Sequence, residues 1–123
     1  MALKHIRLEL ARCKEYPEGS AEHGYELYAP LTSEGHLDAG RWRDHRETCT
    51  VRRFWGHEGD EIGHLVHKSG GPTGVWAFHY DGTEPEDDEP LFKLDSHRFA
   101  VGEYLSIRES DGESRTFVVA VVR

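Results

Sequence analysis

Glu61-Ile62-Gly63-His64-Leu65-Val66-His67-Lys68 and Gly74-Val75-Trp76-Ala77-Phe78-His79-Tyr80, joined by Ser69-Gly70-Gly71-Pro72-Thr73, decide the fold. Each run is short, rich in β-branched and aromatic residues, and bounded by turn chemistry, which is the pattern of a hairpin. Closing Ser69 against Gly74 pairs Leu65 with Phe78, Val66 with Ala77, His67 with Trp76 and His64 with His79. One face then carries Leu65, Trp76, Phe78 and Tyr80, and the other sets two imidazoles against each other. Side chains alternate at period two, so a slip of one residue would separate the histidines. The glycine-rich connection lacks the Lys-Ser/Thr and the helix of a phosphate loop and is read as a turn.

The same period recurs on both sides of this hairpin. Leu3 to Cys13 places Ile6, Leu8 and Leu10 on one face, and Gly24 to Ala29 does so with Tyr25, Leu27 and Ala29. Thr48 to Trp55 reads as a strand in which Cys49 and Val51 share a face. Phe54 breaks that parity and implies a bulge near Arg52-Arg53. Leu91 to Leu94 is a further short strand. Glu103 to Glu109 and Arg115 to Val122 form a second hairpin. The preferred pairing there is Glu109 with Arg115, Ile107 with Phe117 and Leu105 with Val119, which turns Glu103 inward. Asp38 to Trp42 fits a helical turn or a loop, and no longer stretch shows helical periodicity. The expectation is one all-β domain over residues 1–123, a small antiparallel β-barrel or packed sandwich with little helix.

Composition narrows the function classes. The chain has 123 residues and a formal net charge of −8, with 15 Lys+Arg against 23 Asp+Glu. This acidic balance argues against nucleic acid as a partner, because phosphate binding needs clustered bases. Six of the acids lie between Asp81 and Glu89, read as a solvated loop. A basic stretch, Arg41 to Arg53, has the opposite sign, and the two suggest a homodimer or another protein partner. No apolar run approaches the roughly 20 residues that cross a membrane as a helix, so no membrane partner is expected. The amino-terminal residues lack a signal-type apolar run. With two cysteines, Cys13 and Cys49, and no C-x-x-C, the expectation is a cytoplasmic protein with reduced thiols.

Candidate sites rest on chemistry rather than on a motif. The nine histidines are the most unusual feature, and a divalent metal needs three or four converging ligands. His64 and His79 would begin such a site, with His97 or Glu103 completing it. Trp76, Phe78, Tyr80 and Glu103 would line a pocket for a small-molecule ligand if the barrel enclosed one. No nucleophile motif is present, so a non-catalytic binding or interaction module is favoured over a ligand-binding barrel, and both over a metal-dependent enzyme. A filled interior would favour the first reading, and a cavity with convergent polar groups the others. In the C-terminal third, His97-Arg98-Phe99, Gly102-Glu103-Tyr104-Leu105-Ser106-Ile107, Asp111-Gly112 and Thr116-Phe117-Val118-Val119 resemble a pattern found in small bacterial proteins of unknown function. That resemblance implies no activity and brings no site residues.

Overall fold

A computed structural model describes residues 3–68, 75–82, 89–92, 98–109 and 111–123. Eight antiparallel strands follow one another around a closed barrel: β1 (Lys4–Leu10), β2 (Ser20–Ala29), β3 (Thr50–Trp55), β4 (Glu58–Lys68), β5 (Val75–Tyr80), β6 (Glu89–Phe92), β7 (Tyr104–Arg108) and β8 (Ser114–Val122). Pairing of β8 with β1 closes the ring, from Ile6 opposite Val122 to Leu10 opposite Phe117. Each strand thus has a neighbour on both sides, which limits the open sheet edge that is the usual hazard of all-β chains, although β6 meets β5 and β7 over two described residue pairs each.

Period two explains the interior. Ile6, Leu8 and Leu10 from β1, Tyr25 and Leu27 from β2, Leu65 from β4, Phe78 from β5, Ile107 from β7, and Phe117 and Val119 from β8 are buried together. Ring pairs knit this core: Tyr25 lies 5.0 Å from Phe78 and 5.1 Å from Phe117. Aromatic contacts of this geometry add to the burial of apolar area itself.

The β4–β5 hairpin has the register read from the sequence, with His64 opposite His79 and Leu65 opposite Phe78. The β7–β8 hairpin does not. Leu105 faces Phe117 and Ile107 faces Arg115, a shift of two residues from the expected pairing. A shift of two preserves the inward face, so Leu105, Ile107, Phe117 and Val119 remain core residues. Glu103, expected to point inward, precedes β7 and is exposed.

Phe54 also corrects the sequence reading. Val51, Arg53 and Trp55 keep one parity, and Phe54 lies on the outer surface beneath two guanidiniums. Arg7 is 4.4 Å and Arg52 5.1 Å from its ring centroid. The expected bulge exists, between Arg53 and Trp55 against β4, but Phe54 is buried by arginine stems rather than by the core.

One short helix, α1 (Ala39–His45), caps the barrel end formed by the carboxyl end of β4 and the start of β5. Asp38 is its N-cap, accepting from the Arg41 amide at 3.1 Å. Trp42 then reaches the barrel. Its indole N–H donates to the Leu65 carbonyl at 2.8 Å, and its ring meets Trp76 edge-on at 5.7 Å. The opposite end of the barrel carries polar side chains and the candidate site.

Candidate functional site

At the polar end the β1–β2 connection and the β3–β4 turn approach each other. The Gly56 amide donates to the Glu22 carbonyl at 2.8 Å and ties the two together. His23 pairs across the sheet with Trp55, and Trp55 with Glu58. Three rings then run in a row, Tyr16 at 4.6 Å from His23 and His23 at 4.7 Å from Trp55, centroid to centroid. His23 is buried, and both its ring nitrogens are engaged. Nδ1 lies 2.7 Å from Ser20 Oγ, and Nε2 lies 3.1 Å from the Tyr16 hydroxyl. Gly56 has φ +57°, and a Cβ there would stand 3.1 Å from His23 Nε2, so the turn needs glycine twice over. Between these elements lies an open hollow of about 450 Å³ lined by Tyr16, Glu22, His23, Trp55, Gly56, His57 and Glu58.

Beneath the hollow lies a buried ionic network inside the barrel. The guanidiniums of Arg53 and Arg115 stand 4.2 Å and 5.5 Å from the Trp55 ring centroid. Both reach Glu109, Arg53 through Nε at 3.0 Å and Arg115 through Nη1 at 2.6 Å. The Tyr25 hydroxyl donates to the same carboxylate at 2.5 Å, and its oxygen lies 3.1 Å from Glu89 Oε1. Tyr80 donates to Glu89 at 2.5 Å. Glu89 is fully buried and Glu109 nearly so, yet among the described residues no buried side-chain polar atom lacks a partner. Such a network rigidifies its surroundings because leaving any member unpaired is costly.

Burial raises the Tyr25 and Tyr80 hydroxyls well above the ordinary tyrosine value, and the neighbouring carboxylates push the same way. Burial works against the Arg53 charge, but Glu109 outweighs it and the guanidinium is held more firmly protonated than usual. At neutral pH both tyrosines are therefore neutral and both guanidiniums charged, and the network holds the shape of this end of the barrel.

The candidates read from the sequence lie elsewhere. Trp76, Phe78 and Tyr80 face inward as expected, but they are packed into the core. Trp76 stacks on His67 at 4.3 Å, and Tyr80 belongs to the ionic network. Glu103 is exposed and apart from these rings. His64 and His79 are cross-strand neighbours on the outer surface, with His64 Nδ1 3.6 Å from Asp81 and its side chain about a third exposed. His97 lies outside the described residues. Among the described residues no group of three or more His, Cys, Asp or Glu side chains converges on a metal position.

Two charge readings are also corrected. Glu89, assigned to a solvated acidic loop, is the first residue of β6 and is buried; residues 83–88 of that loop lie outside the described residues. The basic stretch Arg41 to Arg53 is not one exposed patch. Arg52 pairs outward with Glu26 and Asp60, and Arg53 points into the barrel. Both cysteines are free thiols, and burial pushes the Cys49 thiol up to about 11. Among the described residues no helix is long and apolar enough to cross a membrane.

The sequence reading missed the residues of the hollow and of the network as a site. A signal existed in the parity of the strands. Tyr25 shares a face with Leu27, Arg53 with Val51, Glu109 with Ile107, and Arg115 with Phe117. Each is a polar group continuing an apolar stripe at the same barrel end. Comparison with known protein families, with characterised proteins and with solved structures finds no match.

Proposed function

We propose that this protein is a small-ligand-binding module that takes its ligand in the rim hollow between Tyr16, His23 and Trp55, outside the barrel core. The observation that carries this reading is the contrast between core and rim. The described inward side chains pack together as a core, whereas the rim carries a hollow of about 450 Å³, within the size range of small-molecule sites. The frame of that hollow is preorganised. The Gly56–Glu22 backbone bond, the three-ring row and the arginines under Trp55 fix its walls before anything binds, and preorganisation lowers the cost of association.

The reading is one of binding: both nitrogens of His23 are engaged by Ser20 and Tyr16, which fixes the ring as a wall of the hollow. A fragment screen followed by amide chemical-shift mapping tests the location. Hits should move the resonances of Gly56, His57 and the Trp55 indole. Hits that instead move Trp76 and Phe78 would place the ligand in the barrel interior and overturn the proposal.

A second reading, docking of another protein, has its own observation. A groove of about 550 Å³ is lined by the end of β1, residues 18–21 at the start of β2, Thr116 and Val118 of β8, and Tyr104, which is 58% exposed. Tyrosine is among the residues enriched at protein interfaces.

A further inference from the structure

The walls of the rim hollow also speak to the charge of what it binds. Its lining residues include two acids, Glu22 and Glu58, and the imidazole of His57, with no lysine or arginine. All three are exposed, so the acids stay hydrated when the hollow is empty. The rings of Tyr16, His23 and Trp55 complete the lining. Aromatic faces attract cations through their quadrupole, and carboxylates attract them at longer range. This protein sets cations over rings at five places among the described residues: Arg7 and Arg52 over Phe54, Arg53 and Arg115 over Trp55, and Arg46 over Trp42.

The fixed arginines do not spoil the preference. Arg53 and Arg115 approach Trp55, but their charge is met by Glu109, by Glu61 at 3.6 Å from Arg53, and by Asp111 at 3.1 Å from Arg115. The acids left in the lining are Glu22 and Glu58, beside His57. An anionic ligand would meet two acids and no lysine or arginine, with only the His57 imidazole to receive it, an arrangement that works against binding.

Resting on the binding reading above, we infer that the rim hollow selects an organic monocation, an ammonium or guanidinium group carried on a small flat or apolar body. The apolar body packs against Tyr16 and Trp55, and the cationic head lies between Glu22 and Glu58.

Three probes of one shape and three charges test this: benzylamine, benzyl alcohol and benzoate at pH 7. Each is titrated into the full chain while the Gly56 amide and Trp55 indole resonances are followed. Benzylammonium should bind about tenfold more tightly than benzoate, and its advantage should shrink as salt is raised. The double substitution Glu22→Gln with Glu58→Gln should bring benzylammonium down to the level of benzyl alcohol. Both positions are exposed, so the variant should keep the wild-type amide spectrum elsewhere. Equal binding of all three probes at these resonances would overturn the charge selection and leave the hollow as a binding site. No shift at these resonances with any probe would overturn the hollow itself, and the charge inference with it.

Discussion

Glu109 is the residue on which the polar end of the barrel turns. It accepts from Arg53, Arg115 and Tyr25, side chains that belong to three different strands. Glu109→Gln keeps the shape and removes the charge that two guanidiniums face. Breaking a buried ion pair from one side costs about 3–5 kcal/mol, because the remaining charge is left uncompensated. Tyr25→Phe removes one donor and leaves acceptors short, at a cost of about 1–3 kcal/mol. Urea unfolding should therefore rank Glu109→Gln below Tyr25→Phe, and both below the wild type. A Glu109→Gln variant within about 1 kcal/mol of wild type would mean that water enters and satisfies the arginines. This cluster was only half legible in the sequence. The sequence suggests an attraction of Glu109 for Arg115 but as a directly opposed hairpin pair, whereas Arg115 stands opposite Ile107 and still reaches Glu109. The contact of Tyr25 with Glu109 and Glu89 spans 84 and 64 residues, and no local pattern announces a meeting that barrel closure creates. Glu89 was misread for a related reason. Its five acidic neighbours suggest solvent, whereas Pro90-Leu91-Phe92 behind it mark the strand that carries it inside.

Strand pairing shows why one hairpin register could be read and the other could not. In β4–β5 the closure of Ser69 against Gly74 expected from the sequence selects among alignments that keep the same faces, and the observed pairs follow it, with Leu65 opposite Phe78. In β7–β8 two alignments two residues apart keep the same inward face, and turn geometry decides between them. The Glu109 amide donates to the Glu113 carbonyl at 2.9 Å, Gly112 adopts φ +86°, and Asp111 accepts from the Glu113 amide at 2.9 Å. That is a three-residue loop with glycine in the left-handed position, a common hairpin connection. Arg115 then meets Glu109 diagonally rather than directly. Closeness of strands makes a prediction at Gly63. A Cβ there would lie 2.0 Å from the His79 carbonyl oxygen, a clash with backbone that no rotamer relieves. Gly63→Ala should cost more than 2 kcal/mol, on the order of overpacking a core, and should broaden or shift the amides along β4 and β5. Gly59, in the same strand with nothing within 4 Å, is the control, and Gly59→Ala should be close to neutral. Phe117 is fully buried against Tyr25 and near Trp55. Phe117→Ala should cost about 3–5 kcal/mol, and a loss below about 1 kcal/mol would contradict that burial.

For the whole molecule, two clusters set opposite limits of pH on one barrel. On the outer face Glu26 joins β1, β2 and β3 through His5, Arg7 and Arg52. Burial pushes its carboxyl up, but His5, Arg52 and Arg7 outweigh burial and hold it below the ordinary 4.5. Asp111 is likewise held below its ordinary 3.8, burial being outweighed by the Glu113 amide and Arg115. A carboxyl depressed in the folded state contributes stability that is present above its unfolded pKa and disappears as pH falls through the folded one. Acid should therefore weaken the barrel below about pH 4.5. Tyr25 and Tyr80 act in the other direction. Their hydroxyls are raised in the folded state, chiefly by burial. Their contribution is complete below the unfolded tyrosine value of about 10 and is lost as pH climbs above it. Two of the five tyrosines should thus ionise only as the barrel opens. In a jump from pH 7 to about pH 11.5, part of the tyrosinate absorbance should appear at once. The remainder should appear at the rate at which far-ultraviolet circular dichroism is lost. The variants separate the two limits. Tyr25→Phe should shrink the slow tyrosinate phase and leave the acid limb of the stability profile in place. Glu26→Gln should flatten the acid limb, with a cost of about 1–2 kcal/mol at neutral pH for a half-buried hub, and leave the slow phase intact. Immediate ionisation of all five tyrosines in the folded wild type would show that the Tyr25–Glu109 cluster is open to solvent. The hollow above it would then have lost its rigid floor.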